Sequence, residues 1–342
     1  NIRENDWNQE LINETARLVS DSIVKIRNMN LLDVEFLKTL PIDSEHFTKE
    51  KTPFRPIFEA VKKKLSSNEA LLPTYDNSYI DGNHAFIARG RDLCSLLTGE
   101  QLDLLFNKKG SRWLDENITE DRMPELRKYL IEEINIREID PELFARQFDG
   151  EFALKQSDIW VIEFYAFLLD HNALWRKGSS WERPGLLRLK PIIRLDNNSH
   201  VPPFDDRGFV NAYLPHPDHS VRKMFPRIVK DSIALNKKAR GFLESLGITE
   251  PDNVAALLEI ILPTYKNGTK IPEHENLQHV EWILKTLDGC ESSRRNTLLE
   301  EIARTRLLFA VNASNQQKEY KTPAEIHLGE KYTGNSSLAI FF

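Results

Sequence analysis

The residues best able to do chemistry are a few histidines and the acids beside them. His216-Pro217-Asp218-His219 brings two imidazoles and a carboxylate within four positions. A zinc site needs a third or fourth ligand at a workable distance, and the sequence offers none that can be read. His274 and His279 flank Glu275 as in a zinc-protease helix, but histidines five apart leave the face that a four-residue spacing would share. Gly329-Glu330-Lys331-Tyr332-Thr333-Gly334-Asn335-Ser336 stands one residue from a phosphate-binding loop, with asparagine where a lysine must reach the phosphates. It reads as an ordinary turn.

No Gly-x-Ser-x-Gly elbow and no cysteine-nucleophile signature is present. The adjacent carboxylates Glu132-Glu133, Asp205-Asp206 and Glu300-Glu301 lie in a chain that is 29% charged and read as solvated surface. Trp160, Phe164, Tyr165, Phe167 and Trp175 would be a stacking platform only on an exposed face; on so apolar a helix they read as core. No catalytic constellation survives, and the segment reads as non-catalytic, although an enzyme with dispersed site residues stays open.

A second chemistry is electrostatic. Arg183, Arg188, Lys190 and Arg194 are close enough in sequence to take part in a basic stripe that contacts nucleic acid. Against this stands a formal net charge of −6, since a strongly basic face is the usual footprint of a nucleic-acid domain. Lys62-Lys63-Lys64, Lys237-Lys238 and Arg294-Arg295 each have acidic neighbours and read as solvated helix faces. Cys94 and Cys290 lie in helical contexts far apart, which predicts free thiols in a reducing, cytoplasmic compartment. No apolar run approaches the ~20 residues of a membrane span.

The elements that must position these groups are mostly helices. Ile12, Ala16, Val19, Ile23 and Ile26 recur at helical spacing over 7–28, and Val34–Leu40 continues helically to Pro41. Pro56 opens a helix with Ile57, Phe58, Val61 and Leu65 on one face. Short helices are predicted around Leu96–Phe106 and Trp113–Asn117, and a longer one over 121–135. Asp140-Pro141-Glu142 is a helix start with cap, proline and first-turn carboxylate. Residues 157–175 form the most apolar helix, and 276–309 is helical again.

Between the helices lie hairpins. Lys190–Phe204 reads as a strand, an Asp196-Asn197-Asn198 turn and a return strand closed by Pro202-Pro203. Leu71–Ile80 has the same order, and Leu307–Asn312 with Lys318–Leu328 repeats it more loosely. Asp76, Asp196 and Asn312 are separated by 120 and 116 positions. Tyr129–Pro141 and Phe242–Asp252 form a second echo: a helix ends, a turn passes an isoleucine, and an acid–proline pair starts the next helix, with Gly247 as the left-handed cap in the later copy. The expected fold is α+β, predominantly helical with small antiparallel hairpin sheets, in about two related units of roughly 115–120 residues, a common domain size. The boundaries are an N-terminal helix over 1–29, units over 30–186 and 187–305, and the start of a third over 306–342. The start at Asn1 and the apolar Phe341-Phe342 predict a piece of a longer polypeptide.

The phrases Trp7-Asn8-Gln9-Glu10-Leu11, Leu71-Leu72-Pro73-Thr74, Ala88-Arg89-Gly90, Glu125–Leu130, Lys190–Leu195, Ala212–Pro215 and Phe242–Gly247 together resemble large bacterial sacsin-like proteins. The resemblance implies an ATP-binding domain of the gyrase, heat-shock-chaperone and histidine-kinase type before this segment. ATP and magnesium would belong there, and some relatives carry a C-terminal domain resembling that of the plant NO VEIN protein. The ATP-binding motifs are absent here: Asn8 and Asp21 have the wrong spacing, and Asp81-Gly82 lacks a second glycine. By that resemblance Arg3, near the presumed junction, is a candidate γ-phosphate sensor. The implied role is a middle region that couples nucleotide state to an effector, client or partner subunit. The alternative is a nucleic-acid-engaging region of a defence-type ATPase.

Overall fold

The computed structural model describes residues 5–48, 52–178, 183–217, 222, 225–266, 271–311 and 317–326. The fold is α+β and mainly helical, with sheets of two or three short strands. Two compact units emerge: Asn1–Arg194 with Asn198–Phe209 and Leu235–Phe242, and Leu195–Asn197 with Val210–Ala234 and Leu243–Phe342. Among the described residues no helix is long and apolar enough to cross a membrane.

The first unit begins with α1 (Asp6–Asn28), capped by Asn5, whose side chain accepts from the backbone N–H groups of Trp7 and Asn8. Its inner face buries Ile12, Ala16 and Ile23. After α2 (Val34–Thr39) and α3 (Ser44–Thr48) comes α4 (Arg55–Leu65), which carries Pro56 in its first turn, packs along α1 and buries Phe58, Val61 and Leu65. These helices close over a core that includes Leu37, Leu71, Leu130 and Tyr129. The hairpin β1 (Leu72–Pro73) and β2 (Tyr79–Ile80) follows, with Asn77 at φ 59° supplying the left-handed turn.

Three further strands form a parallel sheet that the sequence reading did not contain: β3 (Ala85–Ala88) lies between β4 (Arg112–Trp113) and β5 (Arg137–Ile139). Between β3 and β4 run α5 (Arg91–Leu96) and α6 (Gly99–Phe106). The helix expected over Trp113–Asn117 is therefore corrected. Trp113 is a strand residue whose indole N–H donates to the Leu97 carbonyl at 2.6 Å, and Leu114 N–H donates to the Phe86 carbonyl at 2.9 Å. Next come α7 (Pro124–Glu132), α8 (Pro141–Gln147), α9 (Gly150–Leu154) and α10 (Asp158–Asp170). On α10 Trp160, Phe164, Tyr165 and Phe167 are buried, and Phe144, Phe148 and Phe152 meet them in edge-to-face and stacked pairs. The second hairpin, β6 (Ile193–Arg194) with β7 (His200–Val201), completes this unit's strands.

Further along the chain come α11 (Asp231–Ala234), α12 (Lys237–Ser245) and α13 (Asn253–Ala256), which runs through a π-turn at Leu257–Ile261 into α14 (Leu262–Lys266). Pro263 explains the π-turn: it has no N–H to give Glu259, and its ring crowds that carbonyl, so the helix widens by one residue. The second unit's core gathers Leu257, Ile261, Leu262 and Tyr265 with Ile283 of α15 (Glu273–Gly289) and Leu298 of α16 (Ser292–Arg304). A last antiparallel hairpin joins β8 (Leu308–Val311) to β9 (Lys318–Lys321).

The hydrogen bonds carry the internal repeat. Tyr75 N–H donates to the Trp113 carbonyl at 3.1 Å, and Asp196 N–H donates to the Ile228 carbonyl at 2.9 Å. Thr74 bridges Leu114 antiparallel, as Leu195 bridges Val229. Leu114 N–H donates to Phe86 and Val229 N–H to Tyr213, so the parallel β3–β4 contact returns as the Tyr213–Ile228 bridge. An ion pair follows in both copies, Arg91 with Glu116 and Arg222 with Asp231. Left-handed Asn135 (φ 63°) and Gly247 (φ 86°) then precede the helix caps Asp140 and Asp252. The structural register puts Asn198 opposite Asn77, so Asp76 matches Asn197 rather than Asp196.

Candidate functional site

The two hairpins share a register and an apolar first pair, Leu72–Ile80 and Ile193–Val201, and differ in polarity at the second. In the first, buried Pro73 faces Tyr79; in the second, the matching positions hold Arg194 and His200. Arg194 is 8% exposed. A guanidinium removed from water is costly unless paired and hydrogen-bonded, and this one is both. Its Nε lies 3.1 Å from Asp158 Oδ1, and its Nη1 donates to the Gln156 carbonyl at 2.5 Å. Its backbone N–H donates to Tyr165 Oη at 3.0 Å, and that hydroxyl donates to the Ile192 carbonyl at 2.9 Å.

Each partner is held by the fold. Gln156 is itself buried; its amide donates to the Phe152 carbonyl and its Oε1 accepts from Gln101 Nε2 at 2.8 Å. Asp158 sits in the first turn of α10, just after the cap Ser157, where the helix dipole favours a carboxylate. Tyr165 is fully buried, and desolvation raises its phenol above the usual range, so it stays a neutral relay between two backbone groups. Arg194 thus ties the second hairpin to the junction of α9 and α10 and to the middle of α10.

His200 completes the cluster. Both ring nitrogens are buried and neither has a hydrogen-bond partner among the described residues. Burial first, and then the Arg194 charge, push the ring down to about 4, while Asp158 pulls the other way. The imidazole is neutral at neutral pH and lacks the orienting hydrogen bond that a base in a catalytic dyad would receive. The arrangement is a charged tie with a titratable neighbour.

The other basic residues singled out in the sequence have their own structural uses. Lys190 Nζ donates to the Arg146 and Phe148 carbonyls, both at 2.7 Å, satisfying acceptors at the C-terminal end of α8. Its desolvation lowers the amine's pKa, opposed by Asp149. The Arg188 guanidinium lies 3.6 Å from the Phe204 ring centre, in cation–π range. Arg183 is exposed. The expected basic stripe is therefore corrected at Arg194, which the Gln156 carbonyl and Asp158 hold inside, while Lys190 is half-buried and gives its ammonium to two backbone carbonyls. Arg3 lies outside the described residues, as do Asp218, His219 and the Gly329–Ser336 loop.

Of the remaining candidates, His279 Nδ1 is 3.0 Å from Tyr265 Oη, while His274 is exposed. Glu133 pairs with Lys62 at 2.6 Å, and Asp205 accepts from the backbone of Arg207 and Phe209. Among the described residues no group of three or more histidine, cysteine or acidic side chains could hold a metal. A groove of about 390 Å³ in the second unit is lined by Asp252, Lys285, Cys290, Glu291 and Arg294. Its two cations are balanced by two carboxylates, and Arg294 is already bonded to Asp252. The buried thiol of Cys94 is pushed up to about 12 by desolvation and is no nucleophile.

Sequence reasoning singled out Arg194 as a surface cation and missed His200 altogether. The available signal was the repeat: a charged pair stands where the other copy has proline and tyrosine. Comparison of the chain with protein-family models, with curated proteins and with solved structures gives no match.

Proposed function

We propose that this chain is a non-catalytic coupling region of a large cytoplasmic, sacsin-like ATPase, carrying the nucleotide state of a preceding ATP-binding domain to an effector, client or partner subunit. The carrying observation is the Arg194 tie. It spends a buried guanidinium on joining the second hairpin to the α9–α10 junction, whereas the matching pair of the first hairpin, Pro73 and Tyr79, is uncharged. Such a contact has a made and a broken state, and a two-state element is what coupling between distant sites requires. The supporting observation is that Lys190 and Arg188, like Arg194, are engaged within the fold rather than offered to a ligand.

Two measurements test this reading. Fused to its ATP-binding domain, the chain should change ATP turnover at least threefold relative to that domain alone, and Arg194→Met should abolish the change. Turnover indifferent to the chain would defeat the proposal. Binding to single- and double-stranded DNA and RNA should be absent at about 50 mM salt; micromolar binding that collapses by about 200 mM would replace coupling with nucleic-acid engagement.

A further inference from the structure

Among the described residues the third hairpin lacks the strand that covers each of the first two: β8 pairs with β9 alone. Phe309 faces Tyr320 as Pro73 faces Tyr79 and Arg194 faces His200. By that register Ala310 stands where Thr74 and Leu195 stand, and Val311 where Tyr75 and Asp196 stand. In the first copy the outer backbone groups go to β4. Tyr75 N–H donates to the Trp113 carbonyl and the Pro73 carbonyl accepts from Asp115 N–H, each at 3.1 Å. In the second, Asp196 N–H donates to the Ile228 carbonyl at 2.9 Å, and Leu195 bridges Val229 antiparallel.

Burial marks the same difference. Leu72 and Ile193 are 0% exposed, Thr74 2% and Leu195 3%, whereas Leu308 and Ala310 at the matching positions are only half-buried. The edge itself is suited to pairing. Strand β8 reads Leu-Phe-Ala-Val and carries no charge, while Lys318, Glu319 and Lys321 on β9 are of the kind that protects an exposed edge. The hairpin is also held in place from within its own unit. Buried Asn276 donates to the Leu307 carbonyl, and the Tyr320 hydroxyl donates to the Ile271 carbonyl, each at 2.7 Å.

The two covering segments share a composition that says what fits. Each is an exposed arginine followed by two buried apolar residues, the first aromatic or β-branched: Arg112-Trp113-Leu114 and Arg227-Ile228-Val229. Residues 312–342 contain no arginine. We propose that the outer edge of β8 is a docking site for such a strand, an arginine and two apolar residues, supplied by another polypeptide and added antiparallel. Val311 N–H donates to the carbonyl of the first apolar residue, and the Phe309 carbonyl accepts from the N–H that follows the second, as in the first copy. The incoming apolar pair completes the burial of Leu308 and Ala310. The proposal does not depend on the coupling reading.

The probe is a fluorescent peptide with the sequence of residues 110–117 of this chain, titrated with the whole chain by anisotropy. It should bind with a Kd of about 100 μM or tighter, in the range of a short added strand. Two altered peptides should bind at least tenfold more weakly: one with aspartates at the tryptophan and leucine, one N-methylated at the amide after the leucine. In the chain, Val311→Pro removes the outward donor without touching a bond to β9, and should cost the same factor with circular dichroism unchanged. The N-methylated peptide tests the neighbouring bond with the chain left intact. No binding, or equal binding of all three peptides, overturns the proposal. So does concentration-dependent dimerisation that Val311→Pro abolishes, which would seat a second β8 on the edge. Binding gained only in an Ile340→Asp, Phe341→Asp variant would seat the chain's own last residues there and overturn it as well.

Discussion

Acidifying the protein should release the Arg194 tie through His200, and the size of the effect follows from the cluster's geometry. An unfolded chain leaves His200 near the ordinary histidine pKa of about 6.5, while the folded cluster holds it down to about 4. The lowered value means that the unfolded state takes up a proton first, so stability rises with pH across this window and is lost as pH falls from about 6.5 toward 4. The full window corresponds to about 3 kcal/mol, and by pH 5 about 2 kcal/mol of it is already lost. Other carboxylates also titrate, so the assay is a difference. Urea unfolding is followed at pH 7.5 and pH 5 for the wild type and for His200→Tyr, which installs the side chain found at the matching position of the first hairpin. The wild type should lose about 2 kcal/mol more than the variant between the two pH values. A difference below about 0.5 kcal/mol would mean that the ring does not sit neutral against Arg194, and the account of the site would be refuted.

The tie itself can be measured by a double-mutant cycle. Arg194→Met and Asp158→Asn should each cost about 2–4 kcal/mol, since either leaves a desolvated partner, and the double variant should fall short of their sum by at least about 1 kcal/mol. Strict additivity would show that the two side chains do not interact. Thiol chemistry offers a second check: in the native protein Cys290, half-exposed, should react with Ellman's reagent within minutes, and Cys94, buried with its thiol pushed up to about 12, should react only on unfolding. Rapid titration of both thiols would place Cys94 at the surface.

Periodicity made the helices legible. Ile12, Ala16 and Ile23 line one face of α1, Phe58, Val61 and Leu65 one face of α4, and the Asp140-Pro141-Glu142 start caps α8 as its residue types require. The left-handed turn at Gly247 and the hairpins at Leu72–Ile80 and Ile193–Val201 were legible for the same reason, because turn chemistry is local. The parallel sheet was not. Strands β4 and β5 have two and three residues, too few to show a period of two, and their partner β3 is distant in sequence. At the site, the residue types of Arg194 and Lys190 argued for exposure, and only tertiary structure shows the carbonyls of Gln156, Arg146 and Phe148 waiting for them. His200 gave no signal by itself, since a lone histidine in a strand is compatible with almost any environment.

The repeat also says what the tie is for. Pro73 and Tyr79 show that this scaffold closes its hairpin with an uncharged pair, so Arg194 and His200 are not demanded by the fold. Replacing a whole buried ion pair with uncharged groups of similar shape is often neutral or stabilising, whereas removing one partner is not. Arg194→Leu with Asp158→Asn and His200→Tyr should therefore fold about as stably as the wild type near neutral pH and lose the acid-dependent part of its stability. The substitution keeps the Arg194 backbone N–H and hence the bond to Tyr165. If the tie is the two-state element of a coupling region, this stable variant fused to the ATP-binding domain should nonetheless run at the turnover of that domain alone. A variant that is stable, insensitive to pH and still fully coupled would show that the charged pair is a local device of the hairpin, and the coupling reading would lose the observation that carries it.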